Sequence, residues 1–102
     1  MIPLPSGPVP YQADAVIIGG GVNGLAVAYE LSKRGVKDIV VLEKAYLGSG
    51  STGRCGGGIR QQWTTEANIR LAQESVTAYE NLASELGLQT FFRQGGYLMV
   101  TD

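Results

Sequence analysis

The stretch "DAVIIGGGVNGLAVAYELSKRG", residues 14–35, decides the fold of this chain. It opens with a short β-branched run that ends in glycines, which is typical of a buried parallel strand meeting a tight turn. Residues 22–35 follow with helix-forming side chains, and Gly35 stands where a glycine commonly ends a helix. "KDIVVLEK", residues 37–44, predicts a second buried strand. Strand, helix and strand within about thirty residues predict a βαβ unit with parallel strands.

The glycines of this turn carry the first chemical signal. Gly19, Gly21 and Gly24 have the G-x-G-x-x-G spacing, and Glu43 follows at the end of the second strand. Between a strand and a helix, this pattern predicts a dinucleotide site, in which bare backbone approaches a pyrophosphate at the helix N-terminus. Glu43 is expected to accept hydrogen bonds from the adenosine ribose and to repel a 2′-phosphate, which disfavours NADP. The alternative is a glycine-rich turn beside a surface glutamate. NAD and FAD both remain open at this point.

Composition narrows the class of protein. A chain of 102 residues suffices for one domain with a modest core, and its net charge of −1 gives no attraction to nucleic acid or anionic membranes. The single cysteine, Cys55, fits a reducing compartment, so a cytoplasmic location is expected. The absence of histidine removes the commonest general base, and we predict neither a catalytic residue nor a metal site. Four prolines predict an extended arm over residues 1–13, with the features of neither a signal nor a transit peptide.

The second half of the chain predicts three further elements. A long loop is expected over residues 48–58, because that segment is dominated by glycine. An amphipathic helix is predicted from near Thr65 to Gly87, since apolar residues recur there at intervals of three and four. Residues 90–100 predict two short strands around a turn at 94–96. The fold class is therefore α/β, with the arm at 1–13, a dinucleotide-binding βαβ unit and loop at 14–63, and the helix and hairpin at 64–102.

Three segments together resemble a known family: "DAVIIGGGVNGLAVAYELSKRG", "VVLEKAYLGSGSTGRCGGGIRQQW" and the closing "GGYLMVTD". They are similar to the N-terminus of FAD-dependent amino-acid oxidoreductases of the D-amino acid oxidase type. The β subunit of heterotetrameric sarcosine oxidase and dye-linked L-proline dehydrogenases are the members they most resemble. The resemblance runs from Asp14 to Asp102 and implies a Rossmann-like FAD-binding unit that is incomplete relative to the family. It also implies FAD as the cofactor and oxidation of a secondary or N-methyl amine at its C–N bond.

The resemblance assigns site residues position by position. Ser51 and Thr52 would line the phosphate and ribityl region, and residues 57–59 would run past the isoalloxazine ring, where any Cβ would collide. The full candidate cofactor-binding set is Gly19, Gly21, Val22, Asn23, Gly24, Glu43, Lys44, Gly50, Ser51, Thr52, Arg54, Cys55, Gly57, Gly58 and Ile59.

Several single residues allow two interpretations. Cys55 favours a packed thiol over a covalent flavin link, because no histidine or second cysteine accompanies it. Arg60 is expected either to contact flavin or a substrate carboxylate, or to bind local carbonyls. Trp63 and Tyr79 are expected to pack in the core. Tyr97 is expected to pack in the core or at an edge, and the alternative is that it faces a substrate cavity in a longer protein.

The sequence leaves two candidate functions, which belong to different classes. The first is the FAD-binding portion of an amine or amino-acid oxidoreductase, inactive without its remainder or a partner subunit. The second is a dinucleotide-binding or assembly subunit that catalyses nothing. An NAD-dependent dehydrogenase fragment is disfavoured, because such enzymes usually continue with further βαβ units where this chain has its glycine-rich segment.

Overall fold

The structure is a computed structural model that describes residues 7–101. In chain order its elements are strand β1 (Ala15–Ile18), helix α1 (Val22–Lys33), strand β2 (Ile39–Leu42), helix α2 (Ser51–Arg54) and helix α3 (Glu66–Leu86). The first six residues of the predicted arm lie outside the described residues, and residues 7–13 form neither helix nor strand. The chain divides into two compact units, Met1–Gly56 and Gly57–Asp102, which are described separately below.

The first unit is built on a parallel pair of strands, as the sequence predicts. Ala15 pairs with Ile39 and Ile18 with Leu42, and α1 connects the two strands and packs on both. Helix α1 ends at Lys33 with Arg34 as its C-cap, so Gly35 stands just past the helix as predicted. Gly35 follows with a φ of +89°, and the Val36 N–H returns to the Leu31 carbonyl at 3.1 Å. That closure needs a residue with a left-handed backbone conformation. Glycine adopts this conformation without a steric penalty because it has no Cβ.

One face of this sheet is covered by α1 and the other is open. Ile17 points toward α1, where its Cγ2 would lie 3.2 Å from a Cβ on Gly24. Val16 and Ile18 point the opposite way, and Ile18 is 88% exposed. Parallel strands normally have both faces covered. The two strands therefore present one packed and one solvent-facing apolar surface.

The second unit is built on α3, which begins after Thr65 and ends at Gly87, in agreement with the predicted helix. Gly87 is left-handed with a φ of +64°, and the helix C-terminus is closed by a backbone bond to the Ala83 carbonyl. Among residues 7–101, Val76 is the buried apolar residue, with 8% of its surface exposed, and it lies on the apolar stripe of α3. Ile69, Ala72, Tyr79 and Ala83 of that stripe are half-buried and Leu86 is exposed, so the core of this unit is small.

The predicted hairpin at 90–100 is wrong, because no strand forms between residues 89 and 101. Phe91 has a φ of +55°, which interrupts the extended backbone that a strand needs. Side chains instead attach this segment to α3. The Phe92 ring lies 5.7 Å from that of Tyr79, and Gln94 Nε2 donates to the Glu80 carboxylate at 2.5 Å. An isolated two-stranded hairpin is marginal in water, so these contacts with the helix prevail.

Two other expectations need correction. The predicted loop at 48–58 is not wholly irregular, since Ser51–Arg54 forms the single helical turn α2. Trp63 is not a core residue: it is 45% exposed, and its ring is covered by the Arg60 guanidinium at 4.5 Å. The Trp63 indole N–H donates to the Arg60 carbonyl at 3.3 Å, so Arg60 contacts Trp63 through both its guanidinium and its backbone carbonyl. No helix in the described part of the chain has the length and apolar content to span a membrane.

Candidate dinucleotide-binding site

The glycine-rich turn links the end of β1 to the start of α1. Gly19 has a φ of +109°, in the region that favours glycine, and its N–H donates to the Leu42 carbonyl at 2.8 Å. A Cβ on Gly24 would collide with the Gly19 carbonyl oxygen, which is rigid backbone. The first and third glycines of the motif are thus required by the close passage of α1 over the strand end.

Glu43 holds this turn from the end of β2. Its Oε2 accepts a hydrogen bond from the Gly20 N–H at 2.8 Å. Its Oε1 accepts from the Ala45 N–H at 2.9 Å and from the Ser49 hydroxyl at 3.4 Å. The Gly20 N–H first, and the Ala45 N–H second, hold the pKa of the Glu43 carboxyl below its ordinary value of 4.5, because both bonds favour the ionised form. The carboxylate is therefore charged at neutral pH.

Glu43 keeps capacity for a further ligand. A carboxylate offers about four acceptor positions, and three of them are used within the chain. The side chain is partly exposed, so a ribose hydroxyl has access to it. The structure adds an internal role that the spacing of the motif does not reveal, namely the support of the Gly20 amide.

The segment around α2 lies against the same turn. The Gly48 N–H donates to the Gly20 carbonyl at 2.9 Å, and the Thr52 hydroxyl oxygen accepts from the Val22 N–H at 2.9 Å. Gly53 closes the segment by donating to the Gly48 carbonyl at 2.8 Å. A Cβ on Gly53 would lie 2.5 Å from that carbonyl oxygen, so glycine is required there as well. The structure thus brings Thr52 to the N-terminus of α1.

Gly20 is a functional position that sequence reasoning missed. It occupies an "x" of the G-x-G-x-x-G pattern, yet it is buried, and both of its backbone polar groups are bonded to the segment after β2. A Cβ here would lie 2.5 Å from Leu47 Cδ2 and 3.1 Å from Glu43 Cβ. The only signal in the sequence is that the motif contains three consecutive glycines, one more than its pattern demands.

The arrangement at the N-terminus of α1 is suited to an anion. Gly21 is the N-cap of α1, without a side chain to cap the helix, and no acidic residue lies in the first turn. The positive end of the helix dipole therefore carries no negative charge of its own. The backbone from 19 to 24 is bare, and a Cβ on Gly21 would already lie 3.0 Å from Thr52 Oγ1. These residues fit the pyrophosphate of a dinucleotide.

The remaining predicted residues of the first unit surround this turn less closely. Gly50 is the N-cap of α2, Ser51 starts that helix and Arg54 ends it. Cys55 is exposed and donates its thiol hydrogen to the Thr52 carbonyl at 3.0 Å. The residues that the structure describes do not pack this thiol as expected, because the side chain is exposed and bonds to a carbonyl of its own loop. Asn23 and Lys44 are exposed. The roles of these residues in cofactor binding stay predictions.

The residues predicted to line the flavin ring belong to the second unit. Gly57 has a φ of +70°, and Gly58 is exposed. A Cβ on Gly58 would lie 3.2 Å from the Tyr97 hydroxyl oxygen. Ile59 is half-buried. Tyr97 was expected to pack in the core or at an edge, and it is 51% exposed with its hydroxyl directed to this glycine.

Comparison with known proteins gives a consistent result. A family profile described as "FAD dependent oxidoreductase" (DAO) matches residues 14–102. The chain is 41% identical over 94 residues to the mitochondrial pyruvate dehydrogenase phosphatase regulatory subunit of Mus musculus, covering 92% of this chain. It is 34% identical over 90 residues to sarcosine oxidase subunit beta of Rhodobacter capsulatus, covering 87%. It is 40% identical over 86 residues to human mitochondrial dimethylglycine dehydrogenase, covering 83%.

The matched region is a small part of each relative. It amounts to 11% of the phosphatase regulatory subunit, 22% of the sarcosine oxidase subunit and 10% of dimethylglycine dehydrogenase. The chain therefore spans about a tenth to a fifth of the length of these relatives.

Proposed function

The chain belongs to the family of FAD dependent oxidoreductases, and on that premise we propose that it forms the FAD-binding part of an enzyme that oxidises an amine at its C–N bond. The bound flavin supplies the redox chemistry, accepting the electrons that leave the amine. The residues of this chain bind and orient that cofactor. Two relatives are named for sarcosine and dimethylglycine, and the proposed substrate class is accordingly a secondary or N-methyl amine derived from an amino acid.

One observation carries the proposal: the bare turn at the N-terminus of α1 is held from two sides, by Glu43 through Gly20 and by Thr52 through Val22. Two independent supports keep backbone N–H groups in place before a ligand arrives. Preorganisation of this kind reduces the conformational cost of binding. We assign the pyrophosphate to the turn that contains Gly19, Gly21 and Gly24, and the adenosine ribose to Glu43.

The roles of the other candidate residues follow from the resemblance. Ser51 and Thr52 contribute to the phosphate and ribityl region, and Lys44 and Arg54 supply positive charge near the phosphates. Gly57, Gly58 and Ile59 line the isoalloxazine ring. A covalent flavin link at Cys55 is not part of the proposal, because its thiol is bonded to the Thr52 carbonyl.

We propose further that catalysis requires residues beyond these 102, supplied by a longer chain or by a partner subunit. The relatives are about five to ten times longer than the matched region, and two of them are named as subunits. The expected cytoplasmic location stays a prediction, and the two relatives named as mitochondrial offer the alternative compartment.

A second candidate function is a dinucleotide-binding or regulatory subunit that catalyses nothing. It is favoured by a specific observation, because the relative with 41% identity is named as the regulatory subunit of a phosphatase. The turn and its two supports would serve either function, since both need the dinucleotide.

The deciding experiment is a titration of the protein, in the form in which the cell makes it and with any co-purifying partner, with FAD and separately with NAD. We expect saturable FAD binding that is lost in Gly21→Val and kept in Gly95→Val, since Gly95 has open space and an ordinary φ. Saturable binding of NAD and not of FAD would contradict the proposal. Adding sarcosine or dimethylglycine without oxygen then separates the two functions: the enzyme loses its visible flavin absorption, whereas the regulatory subunit keeps it.

A further inference from the structure

Tyr97 is brought back along the chain to Gly58 within the second unit. Gly96 has a φ of +74°, a left-handed turn that directs the backbone immediately before Tyr97. The phenol oxygen ends 3.2 Å from the position that a Cβ on Gly58 would occupy. This is closer than an ordinary van der Waals contact, so the space beside Gly58 that a side chain would fill is partly taken by the Tyr97 hydroxyl.

The hydroxyl is placed to meet a ligand rather than to complete a core. Tyr97 is 51% exposed, and within residues 7–101 its hydroxyl has no hydrogen-bond partner. A phenol both donates and accepts a hydrogen bond, and the exposure of Tyr97 leaves this capacity accessible to a ligand. An accessible phenol beside a residue with no side chain can therefore reach any group that passes over that residue.

We propose that Tyr97 is a flavin-positioning residue, whose phenol donates a hydrogen bond to an acceptor atom at the edge of the isoalloxazine ring. The inference rests on the proposed function, in which Gly58 lines that ring. Gly58 then has two reasons to lack a side chain, namely the approach of the ring and the approach of the phenol. Tyr97 takes no part in bond breaking and acts through the orientation of the cofactor.

The test compares Tyr97→Phe with the wild type, because this substitution removes only the hydroxyl and keeps the ring. In the FAD-loaded protein, completed by any partner that it has, we expect a shift of the visible flavin absorption bands and an affinity for FAD about three- to tenfold weaker. The melting temperature of the cofactor-free protein should stay close to that of the wild type, since the exposed hydroxyl has no internal partner to lose. A purely structural tyrosine would not change the flavin spectrum.

The outcomes separate the two claims. A wild type that binds FAD, with a flavin spectrum and affinity unchanged in Tyr97→Phe, would overturn this inference alone. A raised KM for the amine with an unchanged flavin would also overturn it, because the phenol would then face the substrate. A wild type that binds no FAD would overturn the proposed function and this inference with it.

Discussion

The Thr52 hydroxyl oxygen accepts a hydrogen bond from the Val22 N–H at 2.9 Å, although thirty residues separate the two in sequence. Helix α1 has glycine at its N-cap and no local side chain to serve its first amides. The cap therefore comes from α2, a different element. The consequence is that the stability of the βαβ unit depends on a residue in the glycine-rich segment.

Thr52→Val should lower the free energy of unfolding by about 1 kcal/mol, the typical loss for a helix cap, because it keeps the shape of the side chain and removes the acceptor. Urea unfolding followed by far-ultraviolet circular dichroism measures the change. Thr52→Ser retains the hydroxyl and is the matched control. Equal unfolding midpoints for Thr52→Val and the wild type would contradict the cap.

Stability should depend on pH through Glu43, whose pKa in the folded chain lies below its ordinary value of 4.5. The unfolded chain then binds this proton more readily than the folded chain. The contribution of the Gly20 contact is fully present above about pH 4.5 and is lost as the pH falls through the lower, folded-state pKa. Urea midpoints between neutral pH and about pH 3 measure this loss. We expect a shallower decline in Glu43→Gln, and an identical decline would assign the acid sensitivity to other carboxyls.

Gly24→Ala should destabilise the first unit by about 1–3 kcal/mol, because the added Cβ collides with the Gly19 carbonyl, which cannot move without distorting the turn. Gly95→Ala is the control, since nothing lies within 4 Å of the corresponding Cβ. Thermal unfolding of both variants gives the comparison. A Gly24→Ala protein as stable as Gly95→Ala would mean that α1 passes the strand end at a greater distance.

Glu43→Gln should weaken FAD binding about tenfold or more, since it removes the charge from the group proposed to accept hydrogen bonds from the ribose. Isothermal titration calorimetry with FAD measures this loss. Glu66→Gln removes a more exposed charge, from the α3 ion pair with Arg70, and serves as the control for the loss of one negative charge. If both variants bind FAD like the wild type, the ribose is held by another residue.

The same titration can test the choice of nucleotide. The wild-type protein should bind NADP more weakly than NAD, because the Glu43 carboxylate, ionised at neutral pH, repels a 2′-phosphate. Glu43→Gln should reduce the difference in affinity between NAD and NADP. If the difference in affinity between NAD and NADP is unchanged in the variant, Glu43 does not select between the two nucleotides.

The βαβ unit was predictable because its signals are local. Strand composition, the glycine spacing and Gly35 each act within a few residues, and the structure confirms the parallel pairing and the helix end. Thr65 and Gly87 likewise flank α3 as predicted, because helix caps and apolar periodicity depend on residues that are close together in the sequence.

The remainder was not predictable because it depends on partners distant in sequence. The apolar run at 90–100 has the pattern of a hairpin, but Phe92 and Gln94 find better partners on α3. The hydrogen bond from Gly20 to Glu43 spans 23 residues. Neither the residues around Gly20 nor those around Glu43 indicate it. The pattern of the motif correctly identified the turn, and it left open how the turn is supported.

Every support of that turn lies after it in the chain: the carboxylate of Glu43, the amide of Gly48 and the hydroxyl of Thr52. During synthesis the glycines emerge from the ribosome first, at a time when none of these groups exists. Helix α1 can form early, but strand β1 must wait for its partner β2, and the amides between β1 and α1 gain their final arrangement only after residue 52 has left the exit tunnel. The glycine-rich turn is thus synthesised before the groups that support it and reaches its final arrangement only after them. The cofactor can bind to the completed turn only from that moment onward.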